Sequence, residues 1–567
     1  NRTTAKNRSV WKEFEYKSWT KKPVHKNQQI KKPKTESYSS PFIIMSPQPP
    51  QQMDPESQLL VEEKGYGSTF PNTNNAPAKA APQDVSISEV SLPGKNIPTT
   101  FLEDLRSWRN GTVEGTIPQS FCVAIVVGIA CGGAALLYYK SLWAVLDYLW
   151  HDLPQDSGFK DAVPESLWFL WIAIIGFTMS AGVGLSVKYL GEPGDLAYVV
   201  KCVHNDAYIH ESHMIPMIAA SQFSILGGGS LGPEAPLVAI CAGVAGWLSR
   251  NVFKTVNKNV VRKHTLMGMC AALAAFFGAP LGGSLFALEI NNRFGVEYFE
   301  HALEAIFAGE ICLAMFRYLA GLPIAPIWDL GAPLTEADPV DVLCGILIGL
   351  CGAAVAGAFA WFHGRVMKWF ASRDLLDNSR AVPRALTGAV VIVILGLLVP
   401  QTMFWGEYEL QTILTLGPAE DLEHIWPTSG LLSFEMNSFW SCFIVGLCKM
   451  IVISFTVAGG YRGGFIFPFF AAGAAFGRAL CFLFPSLPPS IACLCFAAGI
   501  NVSITRTVIG TTCILAFLAG EQNAMSSILA ASLVAQFATA YMPFIKSQKS
   551  REDMDKAHVY EYSRPLV

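Results

Sequence analysis

The stretch "GGGSLGPEAPLVAI", residues 227–240, sets a run of glycines, two prolines and one carboxylate, Glu234, at the head of an apolar segment. Glycines let another group approach the backbone closely. Proline is tolerated in a first helical turn, where its missing N–H is no loss. The pattern predicts a helix that begins here with its N-terminal N–H groups left open, and such groups attract an anion. A carboxylate in that position is either an ordinary first-turn acid or an internal occupant of an anion site.

The surroundings place this helix start in a membrane. Apolar segments run over 118–150, 165–190, 214–226, 236–253, 264–290, 299–320, 338–370, 384–404, 437–457, 465–485, 490–500, 507–519 and 524–544. Of the 567 residues 51% are hydrophobic and 15% charged, against about 25% charged in soluble chains. The reading is an all-α polytopic membrane protein. Several segments are too short to cross a hydrocarbon core of ~30 Å alone, and their Gly/Pro flanks point to broken helices that meet near the midplane.

Three regions follow. Residues 1–115 are polar and expected to be disordered, 116–545 form the transmembrane domain, and 546–567 are a short tail. Lys/Arg excess in the first 44 residues, and Lys546, Lys549, Arg551 and Lys556 after the last apolar run, put both termini in the cytoplasm by the positive-inside tendency. No aromatic-basic motif accompanies the basic start, so nucleic acid is not an expected partner. Residues 1–30 lack the apolar core of a secretory signal.

Within the membrane region "GPEAPLVAICAGVAGWLSR" (232–250) is echoed by "GGFIFPFFAAGAAFGRAL" (463–480), and "APLGGSLFALEI" (279–290) by "RTVIGTTCILAFLAGE" (506–521). Two inverted repeats would produce this pattern. Small residues recurring in any packed membrane bundle would also produce part of it.

At these residues the chain resembles the CLC family of voltage-gated chloride channels and chloride–proton antiporters, over about 115–545. The resemblance implies the CLC-type fold, two inverted repeats of tilted and partly broken helices, and a homodimer with one pore in each subunit. It implies selective anion transport across the membrane. Three motifs carry it.

The family's Gly-Ser-Gly-Ile-Pro corresponds loosely to "GEPGDLAY", 191–198. Counting back from Glu234 sets Pro193 on the family serine and Gly194 on the second glycine. Proline there goes with nitrate preference in the family; a plain Pro-Gly turn is the other reading. Gly-Lys/Arg-Glu-Gly-Pro falls on Gly232-Pro233-Glu234-Ala235-Pro236, which makes Glu234 the gate. A rival register sets Leu231 in the glutamate's place. Gly-x-Phe-x-Pro matches Gly464-Phe465-Ile466-Phe467-Pro468, where backbone N–H groups of about Phe465 and Ile466 would hold the anion. Arg462 either raises the local potential or snorkels to the lipid interface.

The family also brings a tyrosine hydroxyl to the anion. In "AQFATAYMPF", 535–544, the ungapped count lands on Phe544, and Tyr541 is the only hydroxyl nearby. Tyr541 is a ligand or an interfacial anchor. The acidic proton relay of family antiporters becomes Ile290, which carries no proton. Its neighbour Glu289 is a structural residue in the family and a possible relay here, since intramembrane acids are functional candidates by default.

The resulting expectation is a channel for chloride, with nitrate as a further candidate, gated by Glu234. The alternative is a proton-coupled antiporter. An enzyme is not expected, because H-E-x-x-H and a P-loop lysine are both missing. His204, His210 and His213 sit at wide spacing and read as solvated loop residues, so no metal site or cofactor is expected. The fourteen cysteines, with no C-x-x-C, read as small hydrophobes. Only 23 residues follow position 544, too few for paired nucleotide-sensing CBS domains.

Overall fold

Apolar runs closed by glycine, proline or a polar turn fold into helices almost throughout. The computed structural model describes residues 117–548 apart from 192, 293–301, 332 and 543. The expected polar tail 1–115 and nearly all of 546–567 lie outside the described residues.

The first half comprises α1 (Ile117–Asp147), α2 (Leu170–Leu190), α3 (Leu196–Asn205), α4 (Met214–Leu226), α5 (Glu234–Trp247), α6 (Lys258–Phe277), α7 (Pro280–Glu289) and α8 (Ala302–Ala320). The second comprises α9 (Pro339–Ala371), α10 (Ala381–Leu398), α11 (Glu409–Thr415), α12 (Phe439–Ala458), α13 (Ile466–Leu483), α14 (Pro489–Thr505), α15 (Val508–Leu518) and α16 (Met525–Ala538). Among the described residues, eight helical spans are long and apolar enough to cross a membrane, so the protein is an integral multi-pass membrane protein.

The two halves repeat one another element by element. In the first, α6 packs on α5, α8 and α1, and α8 packs on α1; in the second, α14 packs on α13, α16 and α9, and α16 on α9. Contacts between the halves join α2 to α10 and α7 to α15, each helix to its own counterpart. Pairing of equivalents is what an internal two-fold axis produces, and it fits the inverted-repeat architecture.

One expected segment splits. The run 264–290 is two helices, because Gly278 takes φ +64° after α6 and Pro280 opens α7. A left-handed residue ends a helix, and proline suits the next first turn.

Charges inside the bundle are paired or bonded. Lys263 on α6 donates to Glu304 on α8 at 2.6 Å and to Ser120 on α1 at 2.6 Å, all buried. Lys449 on α12, fully buried, donates to the carbonyls of Thr402, Met403 and Phe404 at 2.9–3.1 Å. That lysine satisfies an irregular stretch that would otherwise strand three acceptors away from water.

Candidate functional site

The two echoing helix starts meet. Gly232, ahead of α5, and Gly464, ahead of α13, form an antiparallel bridge: each N–H donates to the other's carbonyl, at 2.6 and 2.7 Å. Side chains would not fit there. A Cβ on Gly464 would lie 2.6 Å from Glu234 Oε2, and a Cβ on Gly232 would also collide with that carboxylate. The glycines singled out in the sequence therefore make room for a carboxylate against two backbones. Further up, Gly228 turns the chain at φ +73°, and its carbonyl accepts from the Phe404 N–H at 3.2 Å. The stretch tied down by Lys449 thus braces the loop leading to Glu234.

Glu234 is the first residue of α5 and is buried. Its Oε1 accepts the N–H of Phe467, in the first turn of α13, at 3.2 Å. The first four N–H groups of a helix lack intrahelical partners and carry its positive end. A carboxylate from one half thus sits on the helix N-terminus of the other. Glu234 Oε2 has no hydrogen-bond partner among the described residues.

Among the described residues Glu234 is the only ionisable side chain on the wall of a cavity otherwise lined by Leu196, Ala235, Val238, Met269, Leu273, Phe286, Ile290, Gly464 and Ile466. Leu196, Glu234 and Ile466 are the first residues of α3, α5 and α13, so three helices begin on one cavity. Converging helix N-termini make an anion-favouring field without a fixed positive charge that would trap the ion.

The other candidate residues divide. Pro193 and Gly194 are buried just before α3, while exposed Asp195 caps that helix by accepting the Tyr198 N–H at 2.7 Å. Leu196, rather than Pro193 or Gly194, forms the wall there. Gly232, Gly464 and Ile466 gather at Glu234. Phe465 stands beside them with its ring on Phe469 and Phe544, centroids 5.3 and 6.2 Å away. The donor bonded to the carboxylate belongs to Phe467, one residue beyond the Phe465–Ile466 pair expected to hold the anion. Leu231 is buried in a separate apolar cluster with Val183, Tyr461 and others, away from the cavity.

Tyr541 is not brought to the site: it is 96% exposed. Helix α16 ends at Ala538, and buried Arg506 then binds the carbonyls of Thr539 and Met542. That clamp turns the chain so that Tyr541 faces outward and Phe544 packs inward on Phe359 and Phe465.

Glu289 ends α7 and gives both oxygens to α15, accepting from Ile509 N–H at 3.0 Å and Gly510 N–H at 2.8 Å. It caps a helix, and its neighbour Ile290 faces the cavity instead. His204 corrects the solvated reading of the histidines: it is buried on α3, with Nε2 at 2.8 Å from the Asn291 carbonyl.

Two residues near the site escaped the sequence reading. Gln548 donates to the carbonyls of Ile290 and Thr505 at 3.0 and 2.8 Å, tying the end of the described chain to the cavity wall; nothing in "KSQKS" signals it. Lys449 was detectable, because a lysine amid "GLCKMIVI" is an intramembrane charge.

Comparison with known proteins agrees with this architecture. The sequence profile of a family described as Voltage gated chloride channel matches residues 197–540. A protein of Escherichia coli O139:H28 (strain E24377A / ETEC), provisionally named ion-transport protein YfeO, is 25% identical over 392 residues, 68% of this chain and 84% of its own. A protein of the same name from Shigella boydii serotype 4 (strain Sb227) is 25% identical over 390 residues, with the same coverage. Among solved structures, a CLC-type fluoride/proton antiporter aligns with TM-score 0.59 at 20% identity over 77% of this chain and 100% of its own. A slow cyanobacterial Cl−/H+ antiporter aligns with TM-score 0.61 at 17% identity over 79% of this chain and 100% of its own.

Proposed function

Because the chain belongs to the voltage gated chloride channel family, we propose that it is a passive membrane pathway for small anions, chloride foremost, gated by the Glu234 carboxylate. One observation carries the reading: the Glu234 carboxyl accepts the N–H of Phe467 at the start of α13, where a transported anion would sit. The carboxylate and the anion compete for one seat. Protonation removes the charge that the helix terminus favours, the side chain leaves, and the anion enters. The Oε2 atom, without a hydrogen-bond partner among the described residues, is where the proton would land.

Passive conduction follows from the remaining walls. Coupling needs a titratable group that returns protons to Glu234, and Ile290 offers none, while both oxygens of Glu289 are engaged by α15. The second reading, a proton-coupled antiporter, draws on the solved structures of similar fold, which are named as such. The choice between chloride and nitrate rests on Pro193 alone. A homodimer with both termini in the cytoplasm belongs to the same reading.

Liposomes holding the purified protein, with chloride and proton fluxes recorded together, test it. Wild type should pass chloride with no uphill proton movement and with a rate that falls as pH rises; Glu234→Gln should flatten that pH response. Proton pumping at a fixed ratio would replace the channel with the antiporter. A Glu234→Gln variant with the full pH response would remove the gate.

A further inference from the structure

On its exposed surface, α9 ends in a pattern that anion passage does not use. Arg365 lies over the ring of Trp361 at 4.0 Å, and Arg373 over Trp369 at 4.1 Å. Trp361, Arg365 and Trp369 are spaced by four along the end of α9, and Arg373 follows in the turn two residues past it, so the two pairs lie in succession at this end of the helix. Trp361 is 61% and Trp369 40% exposed. Lys368, also exposed, stands between the two pairs.

These guanidinium groups have planes to rest on and, among the described residues, no carboxylate to bind; Lys368 pairs with none either. Nearby Asp377 spends its carboxylate on the Ser379 N–H at 3.1 Å. Arg250 makes the contrast: it lies 3.7 Å over Tyr208, but its guanidinium is taken by Glu211 and by the Gly246 carbonyl. A guanidinium stacked on an indole is pre-ordered and keeps its N–H edge free, which matches phosphate oxygens in a bidentate fork.

Position selects the source of the phosphate. The uncharged run 342–364 of α9 is about 34 Å long at ~1.5 Å per residue, close to the ~30 Å hydrocarbon thickness. Trp361 therefore falls in its last turn, at the depth where indoles collect, and Arg365 is the first charge beyond it. We propose that the Trp361–Arg365 and Trp369–Arg373 pairs bind the headgroup phosphate of an anionic phospholipid. A zwitterionic lipid carries its own ammonium beside the phosphate and neutralises it; an anionic lipid leaves the fork unopposed.

The test uses the full chain taken from vesicles of equimolar phosphatidylcholine and phosphatidylglycerol, with co-purified lipid counted by mass spectrometry. Wild type should retain phosphatidylglycerol above the bulk ratio. Arg365→Gln with Arg373→Gln should lower that excess by about fivefold for each arginine removed. Arg365→Lys with Arg373→Lys, which keeps the charge but loses the fork, should fall between. Unchanged anion flux and elution volume would show that the variants fold. Equal retention by the glutamine variant overturns the proposal. Displacement of the lipid by excess inorganic phosphate overturns its assignment to a headgroup.

Discussion

At the scale of single residues, the site depends on two absent side chains. A methyl group at position 464 would meet Glu234 Oε2 at 2.6 Å and Glu234 Cβ at 2.9 Å. Either the α13 terminus backs away or the carboxylate leaves, at a strain of about 1–3 kcal/mol. Gly464→Ala is expected to lower the carboxylate's hold on its seat roughly tenfold or more. Chloride efflux at alkaline pH should rise toward the Glu234→Gln level; a variant that still closes fully there would mean that the carboxylate is not the block. Glu289 is the opposite case, an intramembrane acid whose work is structural. Glu289→Gln leaves one acceptor for two N–H donors and removes the charge from the α15 terminus, at a cost of about 1–3 kcal/mol. Its melting temperature in detergent should fall while the ratio of proton to chloride flux stays as in wild type.

Among elements, the segment between α10 and α12 holds a buried pair outside the long apolar helices. His424 Nδ1 lies 2.6 Å from Glu409 Oε1, with the rings of Trp143, Trp405 and Tyr408 4.8–4.9 Å from the imidazole. Burial, the largest single influence, would raise the Glu409 carboxyl, but the His424 charge, the His424 hydrogen bond and the Lys449 charge together outweigh it and the net shift is downward. Burial likewise works against the imidazolium, and Glu409, then Glu423 and Glu407, more than restore it. The signs define a window. Glu409 stabilises the fold above its unfolded value of about 4.3 and ceases to as pH falls through its lower native one. His424 stabilises it below about 6.5 and ceases to as pH rises through its higher native value. Thermal stability should be greatest between, and His424→Gln should flatten the curve and cost about 3 kcal/mol or more. A His424-dependent stability that keeps climbing into alkaline pH would contradict the pairing.

The same segment shows what the sequence could not disclose. Long helices were legible because continuous apolar runs have one outcome in a membrane: α4 at 214–226 and α9 at 339–371 fall within a residue of the runs that announce them. Helices α3 and α11 were missed. Lys201 and His204 interrupt one, and the other has only seven residues, so neither makes an apolar run. Glu234 was legible from local chemistry, a lone acid at a glycine-proline helix start. Its partner Phe467 is 233 positions away and depends on the meeting of the two halves. The outward turn of Tyr541 depends on Arg506, which nothing near residue 541 reveals.

For the whole molecule, the internal two-fold is carried by α2 on α10, α7 on α15 and the Gly232–Gly464 bridge. Each half alone leaves its helix starts and its pairing faces open, so the halves are expected to fold as one unit. The symmetry fails at the bridge itself: Glu234 heads α5, and Ile466 heads its counterpart α13. One negative charge therefore stands on one side of an otherwise balanced junction. An applied field does work on a moving charge, about 2.3 kcal/mol per 100 mV for a full crossing, and the carboxylate's swing covers a fraction of that. A field of one sign presses it into its seat, and the reverse field draws it out. In equal chloride solutions the protein should rectify, passing more current at one polarity than at the other, and Glu234→Gln should make the current–voltage curve straight. A wild-type curve already straight would mean that the swing does not cross the field, and the unmatched charge at the bridge would then be electrically silent.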